Sequence, residues 1–541
     1  MKTRVFTRFL LAGACCLVRA QDDHQAQVDR IFAAYDRADS PGCAVGVIRE
    51  GKFVYRKGYG MGSLELGVPL SPSSIFYMGS VSKQFTAATV VLAAEQGLLS
   101  LDDDVRKYIP ELPNYGHTIT LREMLHHTSG FRDFLALLAF AGRDGEQVHS
   151  DAEIIDLLAK QKALNNVPGS QFIYSNTNYF LLGVVVKRAT GKSLAQFAEQ
   201  NIFRPLGMSH TRFYDDHTLV LPGRVSAYDQ EADGKFLVDW STHYDLVGGG
   251  GLTSSIDDLL AWDQNFYANK LGKGALVKEL QTPGTFNNGK PNNYALGLEL
   301  SNYRGLPIVE HSGALYGYRT DVLRFPDQHF TVLCLCNLSN ANTTALSRKV
   351  ADAYLADSLQ PESAPQPAVG AALPDPSPFA GKYLDPDNHF VYTFSSADGT
   401  LMAWGAALRR LSANQFHDLG TGTITFRPSN GTISATLVMD GENFFTGDRV
   451  QPPHLDAETL AAYVGSYHSA EADATYRLIV KNGDLLLQFK WDPALKLDPV
   501  APDTFETEAL GTLVFHRDTQ QRVKGFKLYQ VPARGVTFDR D

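Results

Sequence analysis

Ser80-Val81-Ser82-Lys83 stands just after the turn-rich Ser71-Pro72-Ser73-Ser74 and opens the apolar run Phe85-Thr86-Ala87-Ala88-Thr89-Val90-Val91-Leu92-Ala93-Ala94. The run predicts a helix that begins at the Ser-x-x-Lys. Residues three apart share a helix face, so the Lys83 amine can lie beside the Ser80 hydroxyl. A helix N-terminus also brings backbone N–H groups toward the reacting centre. An unassisted serine is a poor nucleophile, and a partly desolvated amine can take its proton. Ser-x-x-Lys alone is common by chance; here it occurs once, at a helix start.

Two further stretches give the pair its company. Tyr174-Ser175-Asn176 follows the turn Pro168-Gly169-Ser170 and precedes a second apolar helix over Tyr179–Arg188. A phenol beside an ammonium ionises more readily and can relay protons. The Asn176 amide can hold a substrate carbonyl and the Lys83 head together, and it is equally suited to cap the helix behind it. His311-Ser312-Gly313-Ala314 comes directly after the apolar strand Leu306–Glu310, where glycine permits close backbone approach and an extended acyl chain can pair. The N–H groups of Ser80 and Ala314 are expected to form an oxyanion hole. A second Tyr-x-Asn, Tyr267-Ala268-Asn269, ends a helix among polar residues and is set aside. Tyr77, Tyr316, Tyr318 and Arg319 are as well explained by packing as by binding.

Working outward, helical and strand patterns fill residues 24–359. Gln25–Arg37 reads as a helix, with strands at Cys43–Ile48 and Lys52–Tyr55. A helix-rich middle includes Asp151–Leu158. Strands return at Ala295–Leu300, Pro307–Glu310, Thr320–Phe325 and Phe330–Cys336, before a helix at Leu346–Leu359. Strands at both ends with helices between them predict an α+β unit whose sheet is completed by both ends of the segment. Residues 360–376 are a Pro/Ala-rich linker. Beyond it Phe379-Ala380-Gly381-Lys382-Tyr383 is echoed by Tyr463-Val464-Gly465-Ser466-Tyr467. Two small antiparallel β-barrel modules are expected, over 377–450 and 455–541, against the alternative of one continuous β domain.

Residues 1–20 read as a secretory signal peptide: Lys2, Arg4 and Arg8, a short apolar core over 9–18, and small residues before Gln21. Export to the periplasm or the medium follows, with no integral span after removal; a lipid anchor on Cys15 fits poorly, because Leu is misplaced before it. Cys43, Cys334 and Cys336 remain, an odd number inside apolar strands, and are expected as small buried hydrophobes and not as a disulfide framework. No Cys or His spacing suggests zinc, so neither metal nor organic cofactor is expected. The net charge of -10 is spread along all 541 residues, which argues against a nucleic-acid partner.

Taken together and in this order, Ser80-x-x-Lys83, Tyr174-x-Asn176 and His311-x-Gly313 resemble the serine β-lactamase and penicillin-binding protein superfamily. The likeness is to the class C branch with its D-aminopeptidases, D-Ala-D-Ala carboxypeptidases and esterases. Leu125-His126-His127-Thr128-Ser129-Gly130 and Gly248-Gly249-Gly250-Gly251-Leu252-Thr253-Ser254 resemble two further segments of that family. The resemblance implies a β-lactamase/transpeptidase-like catalytic domain with Ser80, Lys83 and Tyr174 catalytic and Asn176, His311, Ser312, Gly313 and Ala314 binding substrate. It also implies small peptide, ester or β-lactam substrates. Many β-lactamases carry Lys where His311 stands, so a peptidase or esterase is expected ahead of a true β-lactamase. The rivals are a penicillin-binding acyl-sensor with little turnover and a wall-binding scaffold. The sequence does not give an oligomeric state.

Overall fold

The computed structural model describes residues 23–541 except 144–146, 240–244, 362–374, 404, 418–421, 430, 440–441 and 490–493. The signal stretch 1–20 lies outside the described residues, as does most of the linker, 362–374.

A six-stranded antiparallel sheet organises the unit over residues 23–359. Its strands are β1 (Cys43–Arg49), β2 (Lys52–Tyr59), β3 (Glu299–Tyr303), β4 (Leu306–Leu315), β5 (Tyr318–Phe325) and β6 (Phe330–Cys336), in the order β3-β4-β5-β6-β1-β2. The first two strands thus complete a sheet whose other four come some 240 residues later, as the alternation at both ends predicts. One face carries α4 (Thr343–Leu355) and the helix over 23–32; the other faces α1 (Ser82–Glu95) and α3 (Ile256–Ala268). Helix α1 is buried on nearly every side, from Ser82 to Ala93, which is why its sequence is apolar all round. Helix α2 (Asn176–Thr190) packs against it.

Some boundaries differ from the sequence reading. The strand expected at Ala295–Leu300 begins only at Glu299, and the first helix stops at 32. His311 to Ala314 lie inside β4 and not beyond it. The cysteine expectation is corrected: Cys43 and Cys336 face each other directly in the β1–β6 register and form a disulfide across 293 residues. Only the sheet topology makes these two cysteines neighbours. Cys334 is free and buried, with Sγ 3.8 Å from that of Cys336.

Among the described residues the C-terminal region is β apart from single helical turns. Strands between Gly381 and Val450 form one nine-stranded antiparallel sheet. Its two end strands, Ala406–Ala407 and Arg409–Arg410, are separated in sequence by Leu408 alone, so the sheet is nearly closed. Strands between Gly465 and Arg540 form a closed eight-stranded barrel around Tyr467, Tyr476, Phe515, Phe526 and Phe538. Among the described residues no helix is long and apolar enough to cross a membrane.

Candidate active site

Ser80 sits in the single 3-10 turn Gly79–Val81, immediately before α1. Two glycines allow that turn to press against the sheet. Gly79 has φ +52, and a Cβ there would come within 2.6 Å of the Ala314 nitrogen. A Cβ on Gly313 would lie 2.1 Å from the Met78 carbonyl oxygen. The Thr320 hydroxyl, opposite Gly313 in the β4–β5 register, donates to that same oxygen at 2.8 Å. The nucleophile turn is thereby fixed against the middle of β4.

Lys83, on the first turn of α1, is fully buried. Its Nζ donates to Ser80 Oγ at 3.0 Å, to Asn176 Oδ1 at 2.8 Å and to the Gly249 carbonyl at 2.6 Å. It also lies 4.7 Å from the centre of the Tyr174 ring and 5.7 Å from that of Tyr179. Among the described residues no carboxylate forms an ion pair with it. Burial lowers its pKa to about 7, with the charge of Asp133 pulling the other way. A neutral amine is therefore accessible near physiological pH.

The Tyr174 phenol lies beside Ser80 and its ring centre is 4.7 Å from Lys83 Nζ, so hydroxyl, amine and phenol meet in one place. Its acidity departs from the sequence argument. Burial drives the phenol well above its ordinary value, and the neighbouring Ser80 hydroxyl, which pulls the other way, does not reverse this. Burial thus favours the neutral form of both the lysine and the phenol.

Asn176 is the first residue of α2 and not its cap. Ser175 holds the cap position, and the Asn176 side chain turns to Lys83. His311 is buried; its Nδ1 lies 2.6 Å from the Ser312 carbonyl and its Nε2 lies 2.9 Å from Tyr294 Oη. A carbonyl can only accept, so Nδ1 carries the proton and Nε2 accepts from the phenol. Burial and the Lys83 charge lower the His311 pKa to about 3, leaving a neutral ring. Side chains alternate along a strand, so Gly313 and His311 face the nucleophile turn while Ser312 points to the other side. The Ser312 side chain is exposed, while its carbonyl is held by His311 Nδ1. The backbone nitrogen of Ala314 is beside the turn.

Several neighbours have no role in the sequence reading. His127, at φ +56, packs its ring 4.3 Å from that of Tyr174, and its Nδ1 accepts from the Ser175 N–H at 3.2 Å. Tyr294 orients His311. Asp133 accepts from the N–H groups of Asn176, Leu135 and Ala136. An Asp directly before the apolar Phe134–Phe140 is a capping signal that could have singled it out. Tyr294 has no such local signal. The set-aside residues behave as packing: Tyr77 is buried against Tyr214 and Tyr318, and Asn269 is the left-handed C-cap of α3.

Comparison with known proteins agrees with this arrangement. The family described as Beta-lactamase matches residues 28–357. A D-aminopeptidase of Gluconobacter oxydans is 28% identical over 469 residues, covering 84% of each chain. That of Brucella anthropi is 26% identical over 520 residues, covering 92% of this chain and 95% of its own. Among solved structures, an octameric penicillin-binding protein homologue from Pyrococcus abyssi superposes with TM-score 0.56 at 20% identity, over 86% of this chain and 98% of its own. The D-amino acid amidase of Ochrobactrum anthropi SV3 gives 0.53 at 20% identity, over 63% and 99%. At these identities the structural matches speak for the fold alone. With well over half of its length matched by that family, and with a serine, a buried lysine and a tyrosine gathered at one helix start, the chain belongs to the beta-lactamase family of serine hydrolases.

Proposed function

We propose that this protein is an exported amidase or peptidase that cleaves amides of D-amino acids, or peptides bearing them, through an acyl-enzyme on Ser80. The observation that carries the reading is the 3.0 Å contact between Ser80 Oγ and a buried Lys83 whose pKa is lowered to about 7. Neutral Lys83 takes the Ser80 proton as Oγ attacks the carbonyl carbon. The backbone N–H groups of Ser80 and Ala314 hold the oxyanion, with Asn176 on the substrate carbonyl side. Tyr174, a neutral phenol on Ser80, passes a proton to the leaving nitrogen, and Lys83 re-protonates it; the C–N bond breaks as the amine departs. Water then attacks the ester, gives up its proton to the same pair and releases the acid.

Substrate class is supported by the D-aminopeptidase relatives and by His311. A neutral ring with both nitrogens engaged offers no cation for the carboxylate that β-lactams carry. Export is supported by the signal-like residues 1–20 and by the Cys43–Cys336 disulfide, which suits an oxidising compartment. Turnover of D-alanine p-nitroanilide, its L-isomer, short acyl esters and a chromogenic cephalosporin by wild type and Ser80→Ala tests the proposal. D-selective amide hydrolysis that disappears in Ser80→Ala is expected. Turnover surviving in Ser80→Ala, or a preference for the cephalosporin, would refute it.

A further inference from the structure

The loop that follows the Thr128-Ser129-Gly130 turn is held from two sides. On the catalytic side, Asp133 Oδ2 accepts from the Asn176 N–H at 2.5 Å, and the Thr177 hydroxyl donates to the Arg132 carbonyl at 2.7 Å. Thr177 Oγ1 in turn accepts from the Phe134 N–H at 2.8 Å. Asp133 is thus one hydrogen bond from Asn176, and Asn176 is one from Lys83.

On the other side the same loop is gripped by the C-terminal barrel. The Asp133 N–H donates to the Pro532 carbonyl at 2.7 Å, in the turn between the strands Val523–Gln530 and Ala533–Arg540. Arg132 Nη1 pairs with Glu471 Oε2 at 2.6 Å, and the two side chains are only 3% and 2% exposed. Its Nη2 donates to the Gly535 carbonyl. Glu471 accepts as well from the N–H groups of Lys162 and Thr537. Asn165 clamps the joint, donating to the Pro532 carbonyl at 3.0 Å and accepting from the Arg534 N–H at 2.8 Å. A buried ion pair is weak evidence for stability alone, because desolvation offsets its attraction. What this one does geometrically is fix a loop whose next residue holds the head of α2.

We propose that the C-terminal barrel is a working part of the catalytic unit: through Glu471 and Pro532 it fixes the Arg132–Asp133 loop, and Asp133 is the positioning residue that sets Asn176 on Lys83. The proposal rests on the Ser80–Lys83 reading above. An unbraced loop lets Asn176 drift from Lys83, and small misplacements of that kind are costly to rate while binding is retained. Asp133 also faces the charge of Lys83, which is otherwise surrounded by Ser80, Tyr174, Tyr179, His127, His311 and the Gly249 carbonyl. Removing the Asp133 charge lowers the lysine pKa.

The test uses the full chain, with active sites counted by stoichiometric fluorophosphonate labelling of Ser80. Glu471→Gln and Asn165→Ala are expected to lower kcat per labelled site by about ten-fold or more while KM stays within about two-fold. Asp133→Asn is expected to move the acidic limb of the pH–kcat profile to lower pH, a shift that a change in folded fraction does not produce. Should Glu471→Gln fail to fold, Asn165→Ala, at a half-buried position, decides. Folded variants with unchanged kcat per site, or an acidic limb that stays in place in Asp133→Asn, would overturn the inference. Wild type that turns over without labelling at Ser80 would instead refute the proposed function.

Discussion

At the scale of single residues the chemistry turns on one desolvated amine. Lys83 loses water on every side and gains only neutral acceptors, so its charged form is disfavoured and its pKa falls to about 7. If the neutral amine is the base, kcat/KM should rise with pH through about 7, and Lys83→Arg should lower it by about a hundred- to ten-thousand-fold, because arginine stays charged. A flat profile between pH 6 and 8, or an active arginine variant, would assign the base elsewhere. Ser80, Lys83, Tyr174 and Asn176 are legible in the sequence because each stands in a short pattern at a helix start. Asp133, His127 and Tyr294 reach the site from separate stretches of chain. Asp133 carries a capping signal before Phe134, but its link to Asn176 spans 43 residues, and the packing of His127 and Tyr294 against each other and around Tyr174 is set by the fold and not by a local pattern.

Elements carry the next layer. The apolar runs of α1, β1 and β6 make those elements readable, whereas β3 starts late because 295–298 are spent on a turn behind Lys83. Where the strands pair is not readable, and that pairing buries Asp321 in β5 opposite Ser312 and Cys334. Burial and the neighbouring Glu310 and Glu299 push the Asp321 carboxyl well above the ordinary carboxylate range, against the pull of Arg348 and the nearby Ser347. The folded protein therefore holds this proton more tightly than the unfolded chain does. Its contribution to stability is complete below the ordinary value of 3.8 and is lost as pH rises through the elevated folded value. Asp321→Asn should remove that slope, so its Tm relative to wild type should climb between pH 5 and pH 8. Parallel Tm curves across that range would mean that Asp321 is ionised in the fold.

Over the whole molecule, the six-stranded sheet joins strands far apart in sequence, and the Cys43–Cys336 disulfide locks the β1–β6 joint. Counting cysteines argued against a disulfide because parity ignores topology; only the β1–β6 register makes the pair neighbours. Replacing both cysteines by serine should lower the unfolding free energy by about 2–4 kcal/mol, read by denaturant titration, while Cys334→Ser leaves the bond intact. The two C-terminal β units are legible as repeated patterns. Their contact with the catalytic unit is not, since Arg132 and Glu471 lie 339 residues apart. That contact makes the protein one device, with a lysine readied by burial, a serine held against a strand and a barrel bracing the loop between them.

Intact-mass and peptide mass spectrometry, on protein acid-quenched during turnover of a slow D-alanine ester, examines this device where the bond is made. A covalent D-alanyl adduct on Ser80 alone, accumulating and then decaying as substrate is consumed, is the predicted result. An adduct on another residue, or rapid turnover by a route that never modifies Ser80, would contradict it.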